Sequence, residues 1–356
     1  MRSRSTGILL FILLFLVSLS AVTAHSPLIP EQNENLETAC LISDPVKSWA
    51  IYGELREGGE AQYYRLDMKQ GETLQVSLFI PTYKRGGFTP RLVVMGPGIT
   101  SRDEVPKFVE IPSGVGVRLL RSQTVNRPIY EPFTPSSFYN LVQLDLEVPV
   151  TGTYYLAVYE PSQGGHYGLA VGYQERWGLE EWILIPFFAM CIHEWEGQSI
   201  QFILAPMELT LIVGFGYILW KRHTASQSFF GLTGTLAGLL YLGSGFMMLT
   251  QMLVALAATS LNQSAAVTLV LALVPILLGM TILWISLSQE TVTKGRRAWL
   301  AILGLLGLFT WSGMLVGPVL SILTSLMPMR KPATPHSHLD HTDSTESRQR
   351  KHLTHF

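Results

Sequence analysis

EEWILIPFFAMCIHEWEGQ, residues 180–198, decides how the rest of this chain is arranged. It is an apolar run fenced by acids, and near its end it carries Cys191, His193, Glu194 and Glu196. If it crosses a membrane, every later segment changes side; if it lies on one, none does. Its uninterrupted apolar core, 182–192, is about half the ~20 residues that a straight helical span requires. Pro186 sits near its start, and Trp182 and Trp195 stand near its two ends, the placement that aromatic rings favour at headgroup level. The pattern predicts an interfacial or re-entrant segment, 176–202, lying like a collar between an N-terminal domain and a membrane domain.

On the C-terminal side, four long apolar stretches follow at 203–220, 229–258, 265–287 and 299–327. Each has about the length needed to cross hydrocarbon as a helix. The prediction is an α-helical transmembrane bundle of four spans over 203–328. The loop after the first stretch holds Lys221 and Arg222, and the loop after the third holds Lys294, Arg296 and Arg297. With the collar not spanning, both loops fall on the cytoplasmic side, as the positive-inside rule requires. The polar tail, 329–356, then ends outside, where its Arg330 and Lys331 count against the scheme. Composition agrees with a membrane protein: of 356 residues 48% are hydrophobic and only 14% charged. The near-neutral balance excludes nucleic acid as the main partner. The lipid bilayer is the first partner expected.

On the N-terminal side, residues 1–24 read as a signal peptide. Arg2 and Arg4 precede an apolar segment, and small residues lead to a cleavage point after Ala24. Residues 25–37 read as a leader, and 38–175 as an all-β domain. In TLQVSLFI, Leu74, Val76, Leu78 and Ile80 recur at every second position, the spacing of a half-buried strand. Glycine turns such as Gly58-Gly59, Gly86-Gly87 and Gly164-Gly165 separate similar runs. The expectation is a jelly-roll-like sandwich, extracytoplasmic at the cell surface or in a secretory lumen. Cys40 and Cys191 would both face that oxidising side, so a bridge between them is expected there, the alternative being two unrelated thiols.

The runs AQYYRL (61–66), QGETL (70–74) and PVTGTYYLAVY (149–159) resemble the pre-peptidase C-terminal domain family over about residues 48–173. The resemblance implies an accessory sandwich for binding or stability, without catalytic residues. It does not extend to the membrane region.

No nucleophile elbow, H-E-x-x-H, phosphate loop or dinucleotide fingerprint is present. The chemistry nearest to a motif is metal binding, with copper or zinc as the metal. Its candidate ligands are His25 at the mature N-terminus, then Cys191, His193, Glu194 and Glu196, then His336, His338 and His341 in the tail. Glu208 is the main acid of the predicted spans, within about a turn of one end of the first. An intramembrane ionisable group is a functional candidate by default, the alternative being a carboxylate in the headgroup layer. In the loop 118–135, Arg121, Arg127, Tyr130 and Phe133 are the residues that would form a contact surface, the favoured alternative being a well-packed connection between strands. The functional expectation is a non-enzymatic membrane protein whose β-domain binds or senses an extracytoplasmic ligand or assembles with other membrane proteins. Copper or zinc handling is the alternative, and a membrane enzyme the third reading.

Overall fold

The computed structural model describes residues 25–83, 86–123, 127–221, 228–288 and 292–327. The expected signal peptide and the tail, with His336, His338 and His341, lie outside them. Among the described residues eleven strands, numbered in chain order, form two sheets. In the six-stranded sheet the order is β1 (Ser26–Leu28), β3 (Trp49–Leu55), β11 (Gly165–Val171), β5 (Thr73–Pro81), β9 (Ser136–Glu147) and β8 (Ile129–Glu131). In the five-stranded sheet it is β2 (Cys40–Ile42), β4 (Glu60–Met68), β10 (Gly152–Glu160), β6 (Arg91–Gly96) and β7 (Gly116–Leu120). β1 arises inside the expected leader, pairing in parallel with β3.

The alternation seen in the sequence does what it predicts. Leu74, Val76, Leu78 and Ile80 all enter one core, to which Leu66, Val94 and Leu156 of the other sheet also contribute. Tyrosines in that core keep their hydroxyls paired. Tyr167 donates to Gln62 Oε1 at 2.6 Å and meets the Tyr64 hydroxyl at 2.6 Å. Burial first, and for Tyr167 the neighbouring Tyr64 next, holds both phenols above their ordinary pKa. Leaving one such buried group unpaired costs about 1–3 kcal/mol, so the chain Tyr64–Tyr167–Gln62 ties β11 of one sheet to β4 of the other.

Six helices follow. Those long and apolar enough to cross a membrane are α2 (Ile200–Trp220), α3 (Phe229–Ala258) and α4 (Ser264–Leu287). Side chains cap two of their N-termini: Ser199 accepts from Phe202 N and Ser228 from Gly231 N. The fourth apolar stretch does not form the continuous span expected from its length. It breaks into α5 (Lys294–Phe309) and, after a short 3₁₀ turn, α6 (Val316–Leu326), bent by 118°. Trp311, Gly313, Met314 and Leu315 all have positive φ, which a right-handed helix cannot pass through.

The opening stretch is α1 (Leu179–Trp195), and both of its ends are tied to the strands. At its start Lys47 Nζ lies 2.5 Å from Glu181 Oε1; at its end Trp195 Nε1 donates to Gly53 O at 3.0 Å. From Glu181 to Trp195 a helix rises about 21 Å, and from Lys47 to Gly53 an extended chain covers about 20 Å. The matched lengths lay α1 alongside β3. Its other side meets the helices: Trp311 Nε1 donates to Trp182 O at 2.7 Å, and Met190 packs on Ile203, Met207 and Met247.

Candidate functional site

The outer face of the six-stranded sheet, around α1, gathers most of the chemistry-bearing residues. Tyr52 on β3, Phe79 on β5 and Phe138 on β9 form an aromatic floor, and Trp195 drops into it with ring centroids 5.0 Å from Tyr52 and 6.0 Å from Phe79. Gly168 makes the floor possible, because a Cβ there would lie 2.1 Å from the Phe79 ring. A buried pair continues the joint: His193 Nδ1 lies 2.9 Å from Glu196 Oε2, while Glu196 Oε1 accepts from Ser137 N at 3.3 Å. Gln198 and Gln251 exchange two amide hydrogen bonds of 2.8 Å between the end of the collar and α3.

Glu131 on β8 stands close by. Burial pushes its carboxyl up to about 7, against the opposing pull of the Phe133 N–H that it accepts at 3.1 Å. Burial chiefly, then the charges of Glu131 and Glu196, raise the Tyr52 phenol. Next to Glu131, Tyr130 is buried against Ala255 and Ala265. Its hydroxyl meets Thr268 Oγ1 at 2.7 Å, and Thr268 donates to Pro132 O at 2.7 Å.

Beside this joint a cleft of about 410 Å³ opens between the 27–34 segment, β3 and α1. Tyr52, Phe188 and Trp195 supply its rings; Glu34, Glu54 and Glu194 supply carboxylates. Two of the three carboxylates have partners. Arg56 lies 3.5 Å from Glu34, and His166 Nε2 lies 3.3 Å from Glu54 while its Nδ1 bonds the Trp195 carbonyl. The Glu194 carboxylate makes no hydrogen bond or ion pair among the described residues and is exposed to the cleft. Cys191 lines the same space, half-buried.

No protein-family model matches this chain, and no curated protein matches it. The resemblance to the pre-peptidase C-terminal domain therefore stands on its strand and turn motifs alone.

The structure redistributes the residues singled out by sequence. Cys191, His193, Glu194 and Glu196 do lie together on one end of α1, but among the described residues no group of three His, Cys, Asp or Glu is placed to hold a metal. The reason is local: His193 and Glu196 turn into the sheet interface and satisfy each other, while Glu194 and Cys191 face the cleft. His25 sits apart, immediately before β1. Cys40 and Cys191 are both free, so the expected bridge is not formed; Cys40 lies on β2, in the sheet that α1 does not line, and burial raises its thiol. The expected contact surface is divided. Tyr130 is buried against the chain's own helices, whereas Arg121 and Arg127 are exposed, Arg121 over a shallow depression shared with Asp103 and Glu104. Phe133 is half-buried behind Glu131. Glu208 is exposed on α2, its carboxylate without a hydrogen bond or ion pair among the described residues. Sequence reading missed Glu54, His166, Glu131 and Trp195 as site residues. The WEG of 195–197 was visible, but only tertiary packing brings Tyr52, Phe79 and Phe138, 57 to 143 residues distant, to Trp195.

Proposed function

We propose that this chain is an integral membrane protein whose β-sandwich lies outside the cytoplasm and binds a small organic cation in the cleft beside α1, and that α1 relays occupancy to the membrane helices. The role proposed is binding and sensing, without catalysis. The observation that carries it is the double engagement of α1, which forms one wall of the cleft and is fastened at both ends to the sheet while packing on α2, α3 and the turn before α6. A ligand that shifts Trp195 moves the same helix that touches the bundle. The ligand class follows from the lining: Glu194 is an unpaired carboxylate among aromatic rings, the combination that attracts ammonium and guanidinium groups.

Cys191 supplies the reporter. In sealed vesicles of a Cys40→Ala chain, a membrane-impermeant maleimide added outside should modify Cys191. Agmatine, choline or spermidine should slow that reaction, and Glu194→Gln should abolish the protection. Modification only after permeabilisation would refute the sidedness, and rates untouched by all three cations would refute the ligand class.

Glu208 supports assembly with another membrane protein as a second role. A carboxyl on the outer face of an apolar helix costs about 2.5–3.5 kcal/mol at mid-bilayer unless a partner offers it a donor. Crosslinking of α2 to a second membrane protein that is lost in Glu208→Leu would support this; retention of the crosslink would refute it.

A further inference from the structure

We infer that residues 294–326 enter and leave the membrane on one face, as a re-entrant hairpin, so that the chain crosses three times and its C-terminal tail lies on the same side as its two basic loops. The bend alone does not require this; the contacts between the limbs do. Arg297, in the first turn of α5, donates through Nε to the carbonyl of Ser325, at the end of α6, at 2.6 Å. One helical turn further in, Ser321 Oγ donates to Leu300 O at 2.9 Å. Deeper still, Gly304 lies so close to α6 that a Cβ there would sit 2.6 Å from Ile322 Cγ1 and 3.2 Å from its N. The two limbs thus run side by side with their open ends together.

Those open ends are level with one end of the bundle. Thr324 donates to Thr233, in the first turn of α3, at 2.9 Å. A Cβ on Gly234 would lie 2.1 Å from Ser286, in the last turn of α4. The start of α3, the end of α4 and both ends of the hairpin therefore share a face, the one that carries Lys221, Lys294, Arg296 and Arg297.

The limbs are too short to cross. α5 rises about 24 Å and α6 about 16 Å, against a hydrocarbon thickness of about 30 Å. Non-helical backbone at that depth is tolerated only where protein encloses it, and the turn meets this condition. Ser312 and Gly313 are buried, Gly313 N donates to Ser244 Oγ at 2.8 Å, and Trp311 is held by Trp182 of α1. Tyr241 of α3 fills the crotch of the hairpin, its hydroxyl donating to Leu303 O at 3.2 Å and its ring lying against Gly307 and Gly317. The hairpin also removes a conflict in the charge pattern. With three crossings, Arg330 and Lys331 join the other basic residues instead of standing on the opposite side.

The inference does not depend on which side is extracytoplasmic, because its test is relative. In a Cys40→Ala, Cys191→Ala chain, single substitutions His223→Cys, Leu261→Cys and Ser337→Cys are exposed to impermeant maleimide in sealed vesicles before and after permeabilisation. Ser337→Cys should follow His223→Cys and oppose Leu261→Cys. If it follows Leu261→Cys, the segment is a fourth span and the inference falls. Independently, Gly304→Cys with Ile322→Cys should form a disulfide on oxidation, since a straight helix would hold those positions about 27 Å apart. Absence of that disulfide in monodisperse protein would overturn the hairpin as well.

Discussion

Glu131 offers the most quantitative probe of the joint between sheets and helices. Its carboxyl is pushed up to about 7 by burial, from an ordinary value near 4.5. An acid raised in the folded state binds its proton more tightly there than in the unfolded chain, so stability falls as pH rises from about 4.5 to about 7 and is then flat. The gap of about 2.5 units corresponds to roughly 3 kcal/mol at pH 8 and under about 1 kcal/mol at pH 5. Residual solvent contact of this half-buried side chain reduces the pH 8 figure to about 1.5–3 kcal/mol. Glu131→Gln removes the ionisation while keeping an oxygen to accept from Phe133 N. The variant should therefore unfold at a temperature near wild type at pH 5 and about 3–10 °C above it at pH 8. Thermal unfolding of the full chain in detergent micelles, followed by tryptophan fluorescence at both pH values, reads the difference. A gap that is equal at the two pH values, or larger at pH 5, would refute the burial of this carboxyl at the joint.

Tyr167→Phe leaves the Tyr64 hydroxyl and Gln62 Oε1 without their shared partner. It should lower stability by about 2–3 kcal/mol, and a loss below about 0.5 kcal/mol in thermal unfolding would count against that chain. Gly307→Leu places a Cβ 1.8 Å from the Tyr241 hydroxyl, so monodisperse yield should collapse by size-exclusion chromatography. Tyr241→Ala in the same chain should restore part of it, and no restoration would mean that the clash lies elsewhere. Thr268→Val removes both the Tyr130 and the Pro132 hydrogen bonds. Hydrogen exchange over 129–138 should quicken by about 5- to 30-fold, while exchange in β10 stays unchanged.

Local patterns were legible and reversals of direction were not. The every-second-residue alternation of 74–80 maps directly onto core burial, because a strand's faces are set by its own backbone. Long apolar runs likewise read as α2, α3 and α4, since helix length against bilayer thickness is a one-dimensional comparison. The fourth run has the same composition, yet it turns back at Trp311–Leu315. The turn depends on Ser244, Tyr241 and Trp182, which come from other helices. β1 escaped notice for a similar reason, since three residues carry no period and acquire strand form only against β3. The loop around Tyr130 read either as a contact surface or as a packed connection, and in the structure it is divided, with Arg121 and Arg127 exposed and Tyr130 buried. The partner of Tyr130 turned out to be α3 and α4 of the same chain, and one-dimensional reading has no means of separating an internal from an external partner.

The collar is where these threads meet, and its composition makes physical sense there. A helix that crossed the bilayer would put Glu180, Glu181, Glu194 and Glu196 at two opposite surfaces. Laid along β3, it instead gives each end a fastening: Glu181 to Lys47, and Glu196 to His193 and the Ser137 amide. Burial alone would raise the Glu181 carboxyl, but the Gly178 amide and then Lys47 outweigh it and hold the group below its ordinary range. That sign matters for the joint: the Glu181 fastening is complete above the ordinary carboxylate pKa and weakens only as pH falls through the lowered one. Glu131 behaves oppositely, gaining compatibility with its site as pH falls toward 4.5. The two ends of the joint therefore respond to acid in opposite senses, with the start of α1 loosening under conditions in which the β8 side is relieved of a buried charge.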